Sequence, residues 1–175
     1  MTFRIVMAAW IAAAAASAQV FLSEERATAV VLKDCDAVER EEKTVSPADR
    51  AALEKLAGLR FPIPRYTFLR CASGDAPRYA VILDEIGKSE PITFMVGVES
   101  DGSAGEVALM VFRESRGAEV RQGRFTRQFK SKKLNDPIRV NQDIVCWTGA
   151  TLSSEAMARA VKKALALVHH YYVVK

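Results

Sequence analysis

Residues 148–154 read Thr148-Gly149-Ala150-Thr151-Leu152-Ser153-Ser154, and a long amphipathic helix pattern follows them directly. In that pattern, apolar residues recur at helical spacing, at Met157, Val161, Ala164, Leu165, Val168 and Tyr172. Ser153 or Ser154 can cap the helix, with Glu155 in its first turn. A helix N-terminus offers unpaired backbone N–H groups and the positive end of the macrodipole, so this hydroxyl-rich entrance predicts a phosphate site.

Three segments before this helix show the pattern of strands. They span residues 78–86, 92–99 and 106–112, and Asp101-Gly102 between the last two marks a hairpin turn. In the middle segment Phe94, Val96 and Val98 alternate with other residues, so one face is buried. The hairpin and its hydrophobic neighbours favour antiparallel pairing over crossover units. The sequence therefore predicts an α+β fold, in which an antiparallel β-meander packs with helices and the long C-terminal helix.

Shorter elements are predicted around the meander. Ser46-Pro47-Ala48-Asp49 begins a helix, because Ser46 can cap it and Pro47 suits its first position. Leu53, Leu56 and Ala57 form the apolar stripe of this helix, and Gly58 ends it. Residues 66–70 are predicted to form a short strand, residues 73–77 a loop, and residues 121–129 a short helix with Phe125 and Phe129 on one face.

Residues 1–18 have the pattern of a signal peptide. Arg4 places a positive charge near its N-terminus, residues 5–15 are uncharged and rich in Ala, and Ala16-Ser17-Ala18 has the pattern of a cleavage site. The apolar run is shorter than the roughly 20 residues of a membrane span; an uncleaved anchor is the alternative. We expect cleavage after Ala18, export to the periplasm and one mature domain. In it, residues 19–75 are expected to form a helical and extended segment packed on a core of residues 76–175.

The three cysteines are Cys35, Cys71 and Cys146. In an oxidising compartment one pair can form a disulfide, and we favour Cys35–Cys71 because both lie in the N-terminal part; two free buried thiols are the alternative. Histidine occurs only at 169 and 170, where we expect it to favour the negative end of the helix dipole. The sequence contains no haem, zinc or iron–sulfur pattern.

Charge narrows the function little, because the net charge is only +4. A local basic cluster comprises Arg121, Arg124, Arg127, Lys130, Lys132 and Lys133. We interpret it as a solvated face, with a docking patch for an acidic redox partner as the alternative. Export argues against a nucleic-acid partner.

The Thr-Gly-Ala-Thr sequence at 148–151 resembles the flavinylation motif of the FMN-binding domain family, found in the NqrC and RnfG subunits of bacterial electron-transport complexes. The resemblance runs from about Ala76 to about Val168. Three features of the family have counterparts in this chain. The family's turn corresponds to residues 98–102, its Glu-Thr-Pro-Gly segment to residues 113–117, and its short helix to residues 125–130. By this resemblance residues 76–175 are identified as an FMN-binding domain.

The resemblance implies that an ApbE-type flavin transferase attaches FMN to Thr151 through a phosphoester. Thr148, Gly149, Ala150 and Ser153 would then surround the phosphate, with Gly149 permitting close approach of the backbone. For Ser153 we favour the role of a helix cap over any contact with the cofactor. Candidates to line the isoalloxazine ring are Phe125, Trp147 and Leu152, and Glu114 is a candidate to hydrogen-bond near the cofactor. An ordinary core role for Trp147 and a surface role for Glu114 are the alternatives.

The chain departs from the family pattern in the lead-in to the motif, where Cys146 and Trp147 also look foreign, and at one earlier position. The family usually has Asp six residues before the modified Thr, where this chain has Val145, and Asp143 lies eight before. Arg116 stands where the family has Pro. These departures bear on the efficiency of attachment, because the transferase must recognise this lead-in, and they bear less on the fold prediction.

These observations predict an exported electron carrier that uses FMN and a redox partner protein, which can itself be membrane-bound. No acid–base or nucleophile–base pattern indicates substrate turnover, so no catalytic residue is assigned. Three alternatives remain: a flavin-dependent reductase of a small exported substrate, a degenerate member that binds FMN non-covalently or serves as an interaction module, and an unrelated disulfide-bonded binding domain.

Overall fold

The computed structural model describes residues 18–72 and 76–173. The predicted signal peptide, apart from Ala18, and residues 73–75 of the predicted loop lie outside these ranges. In the described ranges, no helix has both the length and the apolar character needed to cross a membrane.

In this part of the chain, six antiparallel strands form one sheet, in the order β1-β6-β5-β4-β3-β2. The strands are β1 (Gln19–Val20), β2 (Val38–Thr44), β3 (Arg65–Cys71), β4 (Arg78–Ile86), β5 (Pro91–Val98) and β6 (Ala104–Phe112). The helices are α1 (Glu24–Val31), α2 (Pro47–Ala57), α3 (Gly123–Thr126) and α4 (Thr151–Val168). The predicted α+β class with an antiparallel meander and a long C-terminal helix is confirmed.

Helices cover the sheet on both faces. On one face α4 lies across β4 and β5, and its apolar side packs on Phe94, Val96 and the neighbouring aromatic residues of the main core. On the other face α1 packs against β5 and β6, where Ala27 and Val31 are buried with Met95. The alternation along β5 therefore serves two cores, because successive side chains point to opposite faces.

A buried ion cluster fixes α4 on the sheet. Glu85 continues the alternation of β4 on the α4 side, and it and Lys163 are each only 6% exposed. Lys163 Nζ donates to one carboxylate oxygen of Glu85, and Arg159 Nε donates to the other at 3.0 Å. Arg159 also donates to the carbonyl of Ile86 at 2.6 Å. Removing Glu85 or Lys163 would leave a buried charge without its closest partner, which typically costs about 3–5 kcal/mol.

Helix α2 begins and ends at its predicted residues. Ser46 Oγ accepts a hydrogen bond from Asp49 N at 3.1 Å, while Asp49 accepts one from Ser46 N at 3.2 Å, which completes a capping box. Gly58 takes a left-handed conformation with φ 67° at the other end. Leu53 and Ala57 are buried as expected, whereas Leu56 is exposed.

Several predicted details are wrong. Residues 121–129 do not form one helix: the single turn α3 is flanked by 3₁₀ segments at Ala118–Arg121 and Arg127–Phe129. Neither Ser153 nor Ser154 caps α4, because the helix begins at Thr151 with Ala150 as N-cap, and Glu155 consequently lies beyond its first turn. The hydroxyl residues are thus inside the first turn rather than before it.

The chain end after α4 forms a π-helical segment, His169–Val173. His170 Nε2 lies 2.9 Å from Asp49 Oδ1 in α2, and Tyr172 Oη donates to Glu41 in β2 at 2.7 Å. His170 therefore ties the C-terminal segment to another element, a specific contact beyond the expected interaction with the helix dipole.

The favoured pair Cys35 and Cys71 forms a disulfide, and Cys146 is a free thiol. The bond links the segment before β2 to the end of β3, at a sequence separation of 36 residues. Closing a loop of this length restricts the unfolded chain and stabilises the fold by roughly 4 kcal/mol in the chain-entropy model.

We predict that reducing this disulfide lowers the free energy of unfolding by up to roughly 4 kcal/mol. Denaturant unfolding with and without reductant measures the loss. Cys35→Ala should reproduce it and abolish the effect of reductant, whereas Cys146→Ser should leave the response to reductant unchanged. An equal response in Cys35→Ala and wild type would contradict the prediction.

Candidate functional site

A groove of about 500 Å³ opens at the N-terminus of α4. Residues from three parts of the chain line it: Lys88 from the β4–β5 turn, the segment after β6, and the start of α4. The last two contribute Glu114, Ser115, Arg116, Gly149, Ala150, Thr151, Leu152 and Ser153. The fold therefore brings together most of the motif and the segment predicted to lie near it; Thr148 is exposed beside the groove and is not part of its lining.

Thr151 is the first residue of α4, and its side chain is exposed. No side chain caps the helix, so the first-turn N–H groups are available to a ligand. Gly149 has φ 82°, and a Cβ placed there would meet no atom within 4 Å. A ligand can therefore approach this backbone closely, next to the positive end of an 18-residue helix.

Local hydrogen bonds hold the loop that leads into Thr151. Ala150 N donates to Trp147 O at 2.9 Å, Trp147 N donates to Ser154 Oγ at 3.3 Å, and Ser154 Oγ donates to Ala150 O at 2.9 Å. Ser154 is thus a structural residue of the loop. Cys146 Sγ lies 3.3 Å from Thr151 Oγ1, so a thiol contacts the hydroxyl that the motif singles out.

Gly117 brings the segment after β6 against the motif. It has φ 103°, and a Cβ there would lie 2.3 Å from Ser153 Oγ and 3.6 Å from Ala150 Cβ. Only glycine permits this approach together with the left-handed backbone. Ser153 is buried by the contact, which explains why it neither caps the helix nor stands free in the groove.

Glu114 is held by the β4–β5 turn. Its Oε1 accepts hydrogen bonds from Ser89 N at 2.6 Å and Glu90 N at 2.9 Å. Partial burial acts to raise the pKa of Glu114, but these N–H groups and Lys88 outweigh it and hold the pKa below its usual value. The carboxylate of Glu114 is therefore ionised and held in one position at the side of the groove.

The aromatic residues predicted to line a flavin ring are not open to the groove. Phe125 is only 1% exposed and packs edge-on against Phe129 and Trp147. The Arg124 guanidinium lies 4.0 Å from the ring centre of Trp147. Of the three predicted residues, Leu152 alone lines the groove, and it is 45% exposed. Phe125 is a core residue, and Trp147 connects that core to the loop.

The lead-in to the motif is rigid although it lacks the expected carboxylate. Val145 is 76% exposed, and Gln128 binds both its N–H and its carbonyl. Asp143 accepts from Lys132 Nζ at 2.9 Å, Ile138 N at 3.1 Å and Arg139 N at 2.8 Å. Burial opposes ionisation of Asp143, but these donors lower its pKa. Asp143 thus serves the structure of the loop.

A larger cavity, of about 600 Å³, lies along α4 away from the motif. We call it the α4 cavity; its lining includes Ala57, Leu59, Ile138, Val140, Ala158 and Lys162. Charged residues line it too, among them Arg139, Arg159 and Lys162. We assign the phosphate site to the smaller groove, because its lining contains Gly149, Ala150 and Thr151 of the motif at the uncapped helix N-terminus.

Residues 87–166, just under half of the chain, match the sequence profile of the FMN-binding domain family. These residues form an FMN-binding domain. The solved structure of a Na⁺-translocating NADH-quinone reductase component, the NqrC protein of Parabacteroides distasonis, has a similar fold, with a TM-score of 0.54 at 18% identity over 78% of each chain. A search of curated proteins found no match. The predicted family and the predicted FMN cofactor are confirmed.

Sequence reasoning missed two cations of the FMN-binding domain that line the groove. Lys88 belongs to the β4–β5 turn, far along the chain from the motif, and only the strand pairing brings it near. Arg116 departs from the family pattern, and the sequence assigns it no role. Within the described ranges, no group of three His, Cys, Asp or Glu residues could hold a metal ion.

We predict that Gly117→Ala destabilises the domain by about 2 kcal/mol or more, through backbone strain and collision with Ser153. Gly102→Ala is the matched control: Gly102 also has positive φ, 77°, but no atom within 4 Å of the added Cβ, so only strain of about 1 kcal/mol is expected. Denaturant unfolding measures both, and equal losses would contradict the close contact.

Proposed function

We propose that this chain is an exported flavoprotein that relays electrons through FMN esterified to Thr151. The observation that carries the proposal is the exposed Thr151 hydroxyl at the uncapped start of α4, in a groove of an FMN-binding domain. Bound FMN supplies the redox chemistry, and the protein supplies attachment, orientation and electrostatics.

The residues of the groove fit a phosphodiester. Lys88 and Arg116 provide two positive charges against the single negative charge of Glu114, so the groove favours an anion. A monoanionic phosphodiester at the helix N-terminus gains about 0.3–1 kcal/mol from the dipole. Gly149 leaves the approach to the backbone open.

Attachment needs a transferase and an activated flavin. We propose that an ApbE-type flavin transferase uses a flavin dinucleotide: Thr151 Oγ forms a bond to the flavin-side phosphorus, the phosphoanhydride bond breaks, the nucleoside monophosphate leaves, and the hydroxyl proton passes to a base of the transferase. The exposure of Thr151 and Val145 supports access by such an enzyme. A covalent bond keeps the cofactor on a protein that has left the cytoplasmic FMN pool.

Electron relay and export rest on different observations. The similar solved structure belongs, by its name, to an NADH-quinone reductase, which supports a redox partner protein for this chain, whether or not that partner is membrane-bound. Export is supported by the signal-peptide pattern of residues 1–18 and by the Cys35–Cys71 disulfide, a bond typical of oxidising compartments.

We predict that Thr151→Val abolishes covalent flavin, because the acceptor hydroxyl is lost while the shape of the side chain is kept. Thr148→Val is the matched control, three residues earlier and also exposed, and should weaken but not abolish attachment. Both proteins are expressed with the transferase, and intact mass and peptide mapping read the flavin and its site.

Flavin found on Ser153 or Ser154 would overturn the assignment to Thr151. The same spectra report the N-terminus of protein from an envelope fraction. A chain starting at Gln19 supports export, and an intact Met1 in the soluble cytoplasmic fraction would overturn it.

We also predict that Val145→Asp raises the flavinylated fraction, because it restores the carboxylate that the family pattern has before the modified Thr. Val145 is largely exposed, so the change should alter the free energy of unfolding by less than about 0.5 kcal/mol. The control is Val38→Asp, another exposed valine remote in sequence from the motif. If the wild type is only partly modified and Val145→Asp does not raise the flavinylated fraction, then the transferase does not recognise a carboxylate in the lead-in.

A further inference from the structure

The basic cluster of residues 121–133 divides into two groups in the structure. Its three lysines each form an ion pair with a carboxylate. Its three arginines, Arg121, Arg124 and Arg127, are exposed and form no ion pair with any other residue that the structure describes. Only the arginines therefore present positive charge that the protein itself does not offset.

Neutral groups hold these three arginines in place. The guanidinium carbon of Arg121 lies 4.7 Å from the ring centre of Phe21. That of Arg124 lies over Trp147, and Arg127 Nε donates a hydrogen bond to a backbone carbonyl at 3.1 Å. A ring face or a carbonyl orients a guanidinium group but leaves its charge in place. Side chains held in this way lose less conformational freedom when they bind a partner.

The arginines lie along the loop that contains the motif. We call residues 116–129 the arginine segment. Arg116, near its start, lines the groove. Arg124, in its middle, lies over Trp147. Near its end, Gln128 bonds to both the N–H and the carbonyl of Val145. The segment therefore runs beside the motif loop and reaches the groove of the proposed attachment site.

The charge of the arginine segment is positive with one exception. It contains four arginines, no lysine and a single acidic residue, Glu119. Complementary charge between two proteins mainly raises their rate of encounter and orients them on contact. Redox proteins often meet through small, short-lived interfaces, in which these effects matter most. A positive patch beside a redox cofactor thus suits a partner whose surface carries carboxylates.

An anionic membrane would also attract four arginines, but the segment lacks an apolar anchor. Its large apolar side chains, Val120, Phe125 and Phe129, are at most 1% exposed. A helix that binds a membrane surface buries an apolar face in the lipid. A surface rich in Asp and Glu needs no such anchor, because a guanidinium group can bond to one carboxylate through two N–H groups. The buried apolar residues therefore favour an acidic protein.

We propose that the arginine segment is the docking surface for the redox partner of this protein, and that this partner has a carboxylate-rich face around its own redox centre. Docking on the segment brings that centre beside the groove at Thr151. The assignment rests on the proposed relay of electrons through FMN. It adds the surface on which the partner binds and the charge of the partner.

The test uses full-length flavinylated protein and, as the probe, a reduced plant-type [2Fe–2S] ferredoxin with an acidic face, which is a one-electron carrier. Each ferredoxin passes one electron to the attached FMN. Two ferredoxins are thus oxidised for each FMN that is fully reduced, and the protons come from water. Stopped-flow spectroscopy gives the second-order rate constant at ionic strengths of about 0.01 M and 0.15 M, where the Debye length is about 30 Å and 8 Å.

The double variant Arg121→Gln, Arg127→Gln should lower this rate constant about tenfold at the lower ionic strength and much less at the higher one. Arg124 is left unchanged because it packs on Trp147. The matched control, Lys130→Gln with Lys133→Gln, removes the same net charge from two residues that are already paired. It should lower the rate constant less than about twofold.

Three results would overturn the docking surface. Equal losses in the two double variants would mean that net charge alone sets the rate, and an unchanged rate in the arginine variant would place docking elsewhere. The third is a lipid partner: the arginine variant loses binding to vesicles of phosphatidylcholine and phosphatidylglycerol but keeps its rate with ferredoxin.

A measurement without flavin separates this proposal from the proposed relay. Ferredoxin is titrated into isotopically labelled Thr151→Val protein, and the backbone amide signals are followed by NMR. The shifts should concentrate in residues 116–129, and shifts confined to other residues would overturn the surface. If mass spectrometry finds no flavin on the wild type, the proposed attachment fails, and the amide shifts still decide where the acidic protein binds.

Discussion

The packing of α4 depends on the buried cluster of Glu85, Lys163 and Arg159. Glu85 and Lys163 are buried, whereas the Arg159 side chain is 33% exposed. Because a buried charge is costly without its partner, the Glu85–Lys163 contact favours one position of the helix on the sheet. That position decides which residues of α4 face outwards and places Thr151 beside Glu114 and Arg116. It also fixes the β4–β5 turn, because Arg159 binds the carbonyl of Ile86 just before it. The groove is thus a consequence of an ionic contact in the core.

The sequence was sufficient for those parts whose signals are local. The capping box of α2, the alternation of β4 to β6 and the periodicity of α4 each lie within a short stretch. The missed strand β2 has no apolar alternation, since Glu39, Arg40, Glu41, Glu42 and Lys43 all lie in it, and it forms only by pairing with β3. The start of α4 was misplaced because serine side chains predict a cap, whereas the approach of Gly117 buries Ser153 inside the first turn.

The candidate site divides in the same way. The motif and the segment near it are recognisable in the sequence alone, so Thr151, Glu114 and Leu152 could be predicted. Lys88 could not, because only the pairing of β4 with β5 brings it to the groove. The sequence does not show which charges of the basic cluster are paired. In the structure three of its lysines form ion pairs: Lys130 with Glu106, Lys132 with Asp143, and Lys133 with Asp101. The Arg124 guanidinium instead lies over the ring of Trp147. Half of the cluster is therefore neutralised within the protein.

The exposed strand β2 has a consequence for how copies of this protein behave at high concentration. One edge of β2 pairs with β3, and no strand of the described residues pairs with its other edge, where another chain could add a strand. Five consecutive charged side chains lie in β2, and charged side chains on an edge strand disfavour the addition of another strand. The Cys35–Cys71 disulfide opposes the separation of β2 from the sheet, since it links the segment just before β2 to the end of β3. The charges and the disulfide thus both disfavour fibrous self-association through the outer edge of β2.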